Sequence, residues 1–203
     1  GRVPNTDADW FRSSGLKLDE RGYVTVDGYG RTNLDGVWAL GDITPGHALA
    51  HRAFEQGITI AEKIAGADPK PVIDDTVPQV VFSFPEAASV GLTLDQAKAR
   101  EDVVEPKETA YPMLSNARML MSGEGGSMTV VSGAFANNPD MQVVLGVHIV
   151  SPIASDLIAE AEQLVGNRVP LADAARLIHP HPTFSETLGE ALLKADGRPL
   201  HTR

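Results

Sequence analysis

Near residue 151 the apolar residues of this 203-residue chain change their period, and that change limits the folds open to it. Upstream they come in short runs. VPQVVFSFP (77–85), DVVEPKETAYP (102–112), GSMTVVSGA (126–134) and QVVLGVHIV (142–150) each read as a strand, with LTLDQAKAR (92–100) as a short helix among them. The turn NNPD (137–140) joins the last two strands as a hairpin. Downstream the spacing becomes helical. Ile153, Leu157, Ala161 and Leu164 form one stripe, and a short helix follows at about 170–177. A third helix, from Thr183 to about Ala195, carries Leu188, Leu192 and Leu193. Several strands followed by helices predict an α+β domain: an antiparallel sheet with helices on one face.

Residues 1–70 are built differently. YVTVDG (23–28) alternates Tyr23, Thr25 and Asp27 against Val24 and Val26, as a strand does. GVWALGD (36–42) is a continuous apolar run ending in Gly-Asp, which suits a strand buried on both faces of a parallel sheet. A helix is expected from about Leu49 to Ala65, with Leu49, Ala53, Ile60 and Ile64 on its period and Gly66 as its stop. These elements predict a partial α/β segment. GADPKPVIDD (66–75) has two prolines and no sustained period, so it reads as a linker between residues 1–70 and residues 76–203.

Composition removes several function classes. A net charge of -10 argues against gripping nucleic-acid phosphates or docking on an anionic membrane. No apolar run approaches the roughly 20 residues a spanning helix needs. The absence of cysteine excludes disulfides, zinc–thiolate sites and cysteine nucleophiles within this chain, and is compatible with a cytoplasmic location. The opening GRVPNTDADW has no apolar core, unlike a signal peptide. It also has no initiator methionine and reads like a loop, so the chain is expected to be a fragment of a longer protein.

HPHPTFSE (179–186) admits three readings. Thr183 with Glu186 fits a capping box at a helix start, which makes His181 an ordinary loop residue. His181 with Glu186 fits an acid/base dyad, since a carboxylate beside an imidazole fixes its tautomer and stabilises its cation. Pro180 and Pro182 would then present His181 stiffly. His179 and His181 could ligate a metal, but no cysteine or carboxylate cluster completes a set. In the second motif, VWALGDITPGHALAH (37–51), Asp42 either ends a strand with local turn bonds or offers its carboxylate to a sugar-like hydroxyl at a strand's carboxyl end. The helix opening near Ala48–His51 offers N–H groups to an electron-rich oxygen. GYGRTN (28–33) and GEGGSM (123–128) fail the dinucleotide fingerprint and read as turns. Glu160 and Glu162 read as the solvated face of the first C-terminal helix.

With those residues in view, the chain resembles the C-terminal part of a flavin-dependent pyridine nucleotide–disulfide oxidoreductase. GRVPNTD resembles that family's exit from its NAD domain, GVWALGD its second flavin motif, ALAHRAFEQG the segment beneath the flavin ring, and VPQVVFSFPEAASVGLT the entry to its dimerisation domain. HPHPTFSETLGEAL resembles its C-terminal active-site motif, in which His-Pro-Thr-x-x-Glu precedes a helix. LAH after the GD motif, HxHPT and GRPLH favour the member that reoxidises the lipoyl domains of 2-oxoacid dehydrogenase complexes over glutathione or mercuric reductases. The resemblance implies that His181 exchanges a proton with a dithiol and that Glu186 holds it. It implies that Asp42 bonds the ribityl chain of FAD and that Ala48, Leu49, Ala50 and His51 approach the flavin's pyrimidine end. Gly1 would lie at the edge of the NAD site. Residues 4 to about 70 would be the returning part of the FAD-binding domain, and residues from about 76 the interface domain of a homodimer. In the family the histidine reaches across that dimer to the other subunit's disulfide. The family's GxGxxG fingerprints and CxxxxC pair are missing here, so FAD and NAD would belong to the parent, and the fragment is expected to be inactive and not to retain them. The alternatives are another disulfide reductase of the same family and a free-standing, non-catalytic dimerisation module.

Overall fold

A computed structural model describes residues 2–202, which divide into two compact units with the boundary between Asp74 and Asp75. Gly1, expected at the edge of the NAD site, lies outside the described residues.

In the first unit, α1 (Asp9–Ser13) and α2 (Ala50–Ile64) flank a long irregular stretch held by turns. The expected strands at 23–28 and 36–42 do not form; single bridges, Leu18–Val24 and Arg31–Trp38, stand in their place. The cause is local. Asp19 Oδ1 accepts from the N–H groups of Arg21 and Tyr23, and Asp27 Oδ1 from those of Tyr29 and Arg31. Two aspartate-closed turns thus end the alternation before a ladder can start. Val24 and Ala39 are still buried, in a small cluster with Phe11. The expected helix does form. It stops at Gly66, which adopts the left-handed conformation (φ +84°) that favours glycine. Arg52, buried on α2, donates from Nε to Asp74 Oδ1 at 2.6 Å and from Nη2 to the Pro45 carbonyl at 2.6 Å.

The second unit is a five-stranded antiparallel sheet in the order β1-β2-β5-β4-β3. Its strands are β1 (Gln79–Val81), β2 (Glu86–Gly91), β3 (Val103–Pro112), β4 (Ser127–Phe135) and β5 (Asn138–Ser151). The run VPQVVFSFP is not one strand: only Gln79–Val81 pairs, and Ser83 Oγ closes a bend on the Pro85 carbonyl before β2 begins. β2 has no apolar run of its own; its small residues are zipped into place by β5, with Ser89 opposite His148. The hairpin turn falls at Ala136–Asn137, one residue before the NNPD position, because Asn138 already pairs with Phe135.

Helices α3 (Leu94–Ala99), α4 (Ala117–Ser122), α5 (Ala154–Gly166), α6 (Leu171–Ala174) and α7 (Glu186–Ala195) complete the unit. α3 starts with a full capping box, Thr93 with Gln96. The helices after β5 bury their apolar stripes on the sheet: Leu157 and Ile158 of α5 and Leu188 and Leu192 of α7 share one core with Tyr111, Met128, Val130 and Ile149. Each such side chain contributes about 1.5–3 kcal/mol of burial. A smaller cluster uses alternate strand positions, Val131, Val143 and Leu145, to hold Ala97 of α3. α5 lacks a cap of its own, and Glu86 of β2 supplies one by accepting from the Ser155 N–H at 2.8 Å.

Candidate active site

Residues 178–185, between α6 and α7, carry HPHPTFS, and the Glu that ends the motif opens α7. Among the described residues, none of their N–H groups donates to a backbone carbonyl, and Pro180 and Pro182 have no N–H to give. Side chains hold the stretch instead. Asn116, the N-cap of α4, donates from Nδ2 to the Thr183 carbonyl at 3.1 Å. Thr183 Oγ1 donates to the Pro180 carbonyl at 2.6 Å. Glu186 Oε2 accepts from the Thr183 N–H at 2.7 Å. The Phe184 ring packs on the main core, with the Arg118 guanidinium 5.4 Å from its centroid.

His181 stands at the outer end of this scaffold. Its Nδ1 lies 2.8 Å from Glu186 Oε1, and its side chain is 69% exposed. The ring's other nitrogen has no hydrogen-bond partner among the described residues. One carboxylate therefore orients the imidazole and braces the loop backbone at once, leaving a ring nitrogen open to a reactant. Glu186 itself is 19% exposed. Burial raises its pKa, but the Thr183 N–H and His181 outweigh that, so it is held below the ordinary glutamate value.

The capping box expected from Thr183 and Glu186 is only half made. The glutamate takes the Thr183 N–H, but the threonine hydroxyl turns back to Pro180, and α7 begins at Glu186 itself with Ser185 before it. His179 and His181 take different carboxylates, Glu160 and Glu186. His179 Nε2 lies 2.8 Å from Glu160 Oε1. This corrects the reading of Glu160 as part of a merely solvated face. A signal for it was available: 160 lies three residues after Leu157 and four before Leu164, on the margin of the buried stripe. The hydrogen bond and charge of Glu160 raise the pKa of His179 against its burial. One turn along α7, Glu190 accepts from His201, through Nδ1 at 2.8 Å and the backbone N–H at 3.2 Å. The Tyr111 phenol, buried nearby, is pushed up to about 12, first by burial and then by the Glu190 and Glu186 carboxylates.

The other candidate residues lie in the first unit. Asp42 is exposed within a 3-10 turn, Gly41–Ile43. Ala48 and Leu49 are half-buried just before α2, and Ala50 and His51 open that helix. The N-terminus of α2 has no side-chain cap, so its first-turn N–H groups suit an electron-rich oxygen. No helix among the described residues is long and apolar enough to cross a membrane.

Comparison with known proteins bears on both units. Residues 77–192 match the family profile described as pyridine nucleotide-disulphide oxidoreductase, dimerisation domain, and residues 1–57 match that of pyridine nucleotide-disulphide oxidoreductase. Among curated relatives, the dihydrolipoyl dehydrogenase of Cupriavidus necator is 42% identical over 99% of this chain, and that of Geobacillus stearothermophilus 39% identical over 99%. The chain spans only 41% of the length of either. Among solved structures, LpdA from Mycobacterium tuberculosis superposes with a TM-score of 0.84 at 31% identity, over 96% of this chain and 41% of its own. The flavoprotein disulfide reductase RclA from Escherichia coli, at 23% identity and a TM-score of 0.79, shares the fold over 95% of this chain and 43% of its own.

Proposed function

We propose a function from one premise: this chain belongs to the pyridine nucleotide–disulphide oxidoreductase family. It forms the C-terminal portion of a dihydrolipoyl dehydrogenase, which converts dihydrolipoamide and NAD+ to lipoamide, NADH and a proton. The observation that carries this reading is the His181–Glu186 pair: an exposed imidazole, braced by a carboxylate at 2.8 Å, on a loop stiffened by two prolines.

A dithiol reacts as its thiolate, so its oxidation needs a group to take the proton. The open nitrogen of His181 receives it, and Glu186 stabilises the imidazolium across the Nδ1 bond. In the reverse direction the same nitrogen returns the proton to the leaving thiolate. The family is FAD- and NAD(P)-dependent. FAD, when bound, supplies the two-electron relay between the dithiol and NAD+. Asp42 would accept from a ribityl hydroxyl, and the first turn of α2, with Ala48, Leu49, Ala50 and His51, would face the pyrimidine oxygens. Gly1 would border the NAD site. This chain contributes one flank of the flavin site and would not retain FAD alone. The dimerisation domain would pair two subunits, each His181 serving the disulfide of the other. We place the parent in the cytoplasm, with lipoyl domains of a 2-oxoacid dehydrogenase complex as its partners.

The test is His181→Ala in the complete enzyme. Dithiol oxidation is expected to fall by about 10²-fold or more, the usual reach of general acid/base catalysis. Turnover near that of the unaltered enzyme would remove His181 from the reaction.

A further inference from the structure

The stretch that presents His181 is anchored unequally at its two ends. Downstream, Asn116, Glu186 and the Phe184 ring all hold it. Upstream, from Arg176 to Pro182, every residue is exposed except His179, and Ile178 is 97% exposed. The His179 side chain is only 9% exposed. Its Nε2 reaches Glu160 on α5, and its ring lies against Gly189 on α7, where a Cβ would approach Nδ1 to 2.5 Å. One imidazole therefore ties the upstream end of the loop both to α5 and to the helix that carries Glu186. The carboxylates facing it are Glu160 from α5 and Glu186 from α7.

The geometry points to His179 and Glu160 as a positioning pair that fixes the upstream end of the loop, so that His181 is held in one place for proton transfer. The inference rests on the functional reading above and adds two residues to it. An apolar side chain could fill the same space, but a charge-assisted hydrogen bond also sets direction. Direction matters two residues from a reacting nitrogen, where a displacement of about 1 Å can cost on the order of 10²-fold in rate.

The test uses four variants of the complete enzyme: His179→Phe, His179→Gln, Glu160→Ala and His181→Ala. Two activities are read: oxidation of dihydrolipoamide, and reduction of ferricyanide by NADH, which needs no proton transfer to a dithiol. His179→Phe and Glu160→Ala are expected to lose about tenfold to a hundredfold in dithiol kcat, with ferricyanide reduction unchanged. His179→Gln keeps a donor for Glu160 and is expected to retain most of the dithiol activity. In a His181→Ala background, His179→Phe should cost nothing further, because the residue it positions is gone. Equal loss of both activities, or full dithiol turnover in Glu160→Ala, overturns the inference while leaving His181 in its role. Glu160→Ala decides the matter if the phenylalanine variant does not fold. Full dithiol turnover in His181→Ala removes the functional reading itself, and the positioning role with it.

Discussion

Both oxygens of the Glu186 carboxylate are committed, one to the His181 ring and one to the Thr183 N–H. Its pKa is held below the ordinary glutamate value of 4.5 although burial opposes this. Its contribution to stability is therefore complete above that value and is lost as pH falls through the lowered one. Thermal melts of the chain should show the difference between native protein and Glu186→Gln shrinking at acid pH; a difference that persists in strong acid would contradict the assignment. His179 works in the opposite sense. The Glu160 hydrogen bond raises its pKa above the ordinary 6.5, against burial. The stability it adds is complete below the ordinary value and fades as pH rises through the raised one. The melting-point gap between native protein and Glu160→Ala should narrow on the alkaline side, and a widening gap would show the wrong sign. The His181–Glu186 pair could be read from the sequence because five residues separate its members in one punctuated motif. Whether the capping box is complete could not, because that turned on where the Thr183 hydroxyl goes, and that hydroxyl bonds Pro180.

α7 meets its surroundings through a glycine. Gly189 lies mid-helix, where alanine would be favoured intrinsically by about 0.8–1 kcal/mol. The added Cβ would press on a His179 ring that is pinned by Glu160 and cannot retreat cheaply. Overpacking of this kind costs about 1–3 kcal/mol, so the clash outweighs the propensity. Gly189→Ala is expected to lower the melting temperature, and an unchanged or higher one would show that the ring is free to move. Helices α2, α5 and α7 were legible from their periods. The strands were less so. β2 exists because β5 offers it an edge, and the stretches at 23–28 and 36–42 pass only single bridges. Alternation is a property of sequence, whereas a strand also needs a partner.

For the molecule as a whole, large apolar side chains lie at the surface of the second unit, which matches the dimerisation-domain profile. Phe84 is 85% exposed and Ile178, beside the site, 97%. The chain is expected to sediment as a symmetric dimer with self-complementary contacts through residues 76–203. A clean monomer at high concentration would count against it. The sequence by itself determined the α+β class, the helices and the His181–Glu186 spacing, because each depends on residues within a turn or two of one another. Only the tertiary structure decided what anchors them. Glu86 caps α5 from 69 positions away, Asn116 holds Thr183 from 67, and Glu160 takes His179 from 19. Such partners leave no period in the chain; they exist because burying the two apolar faces against each other brings distant polar groups together, and each must then find a hydrogen bond.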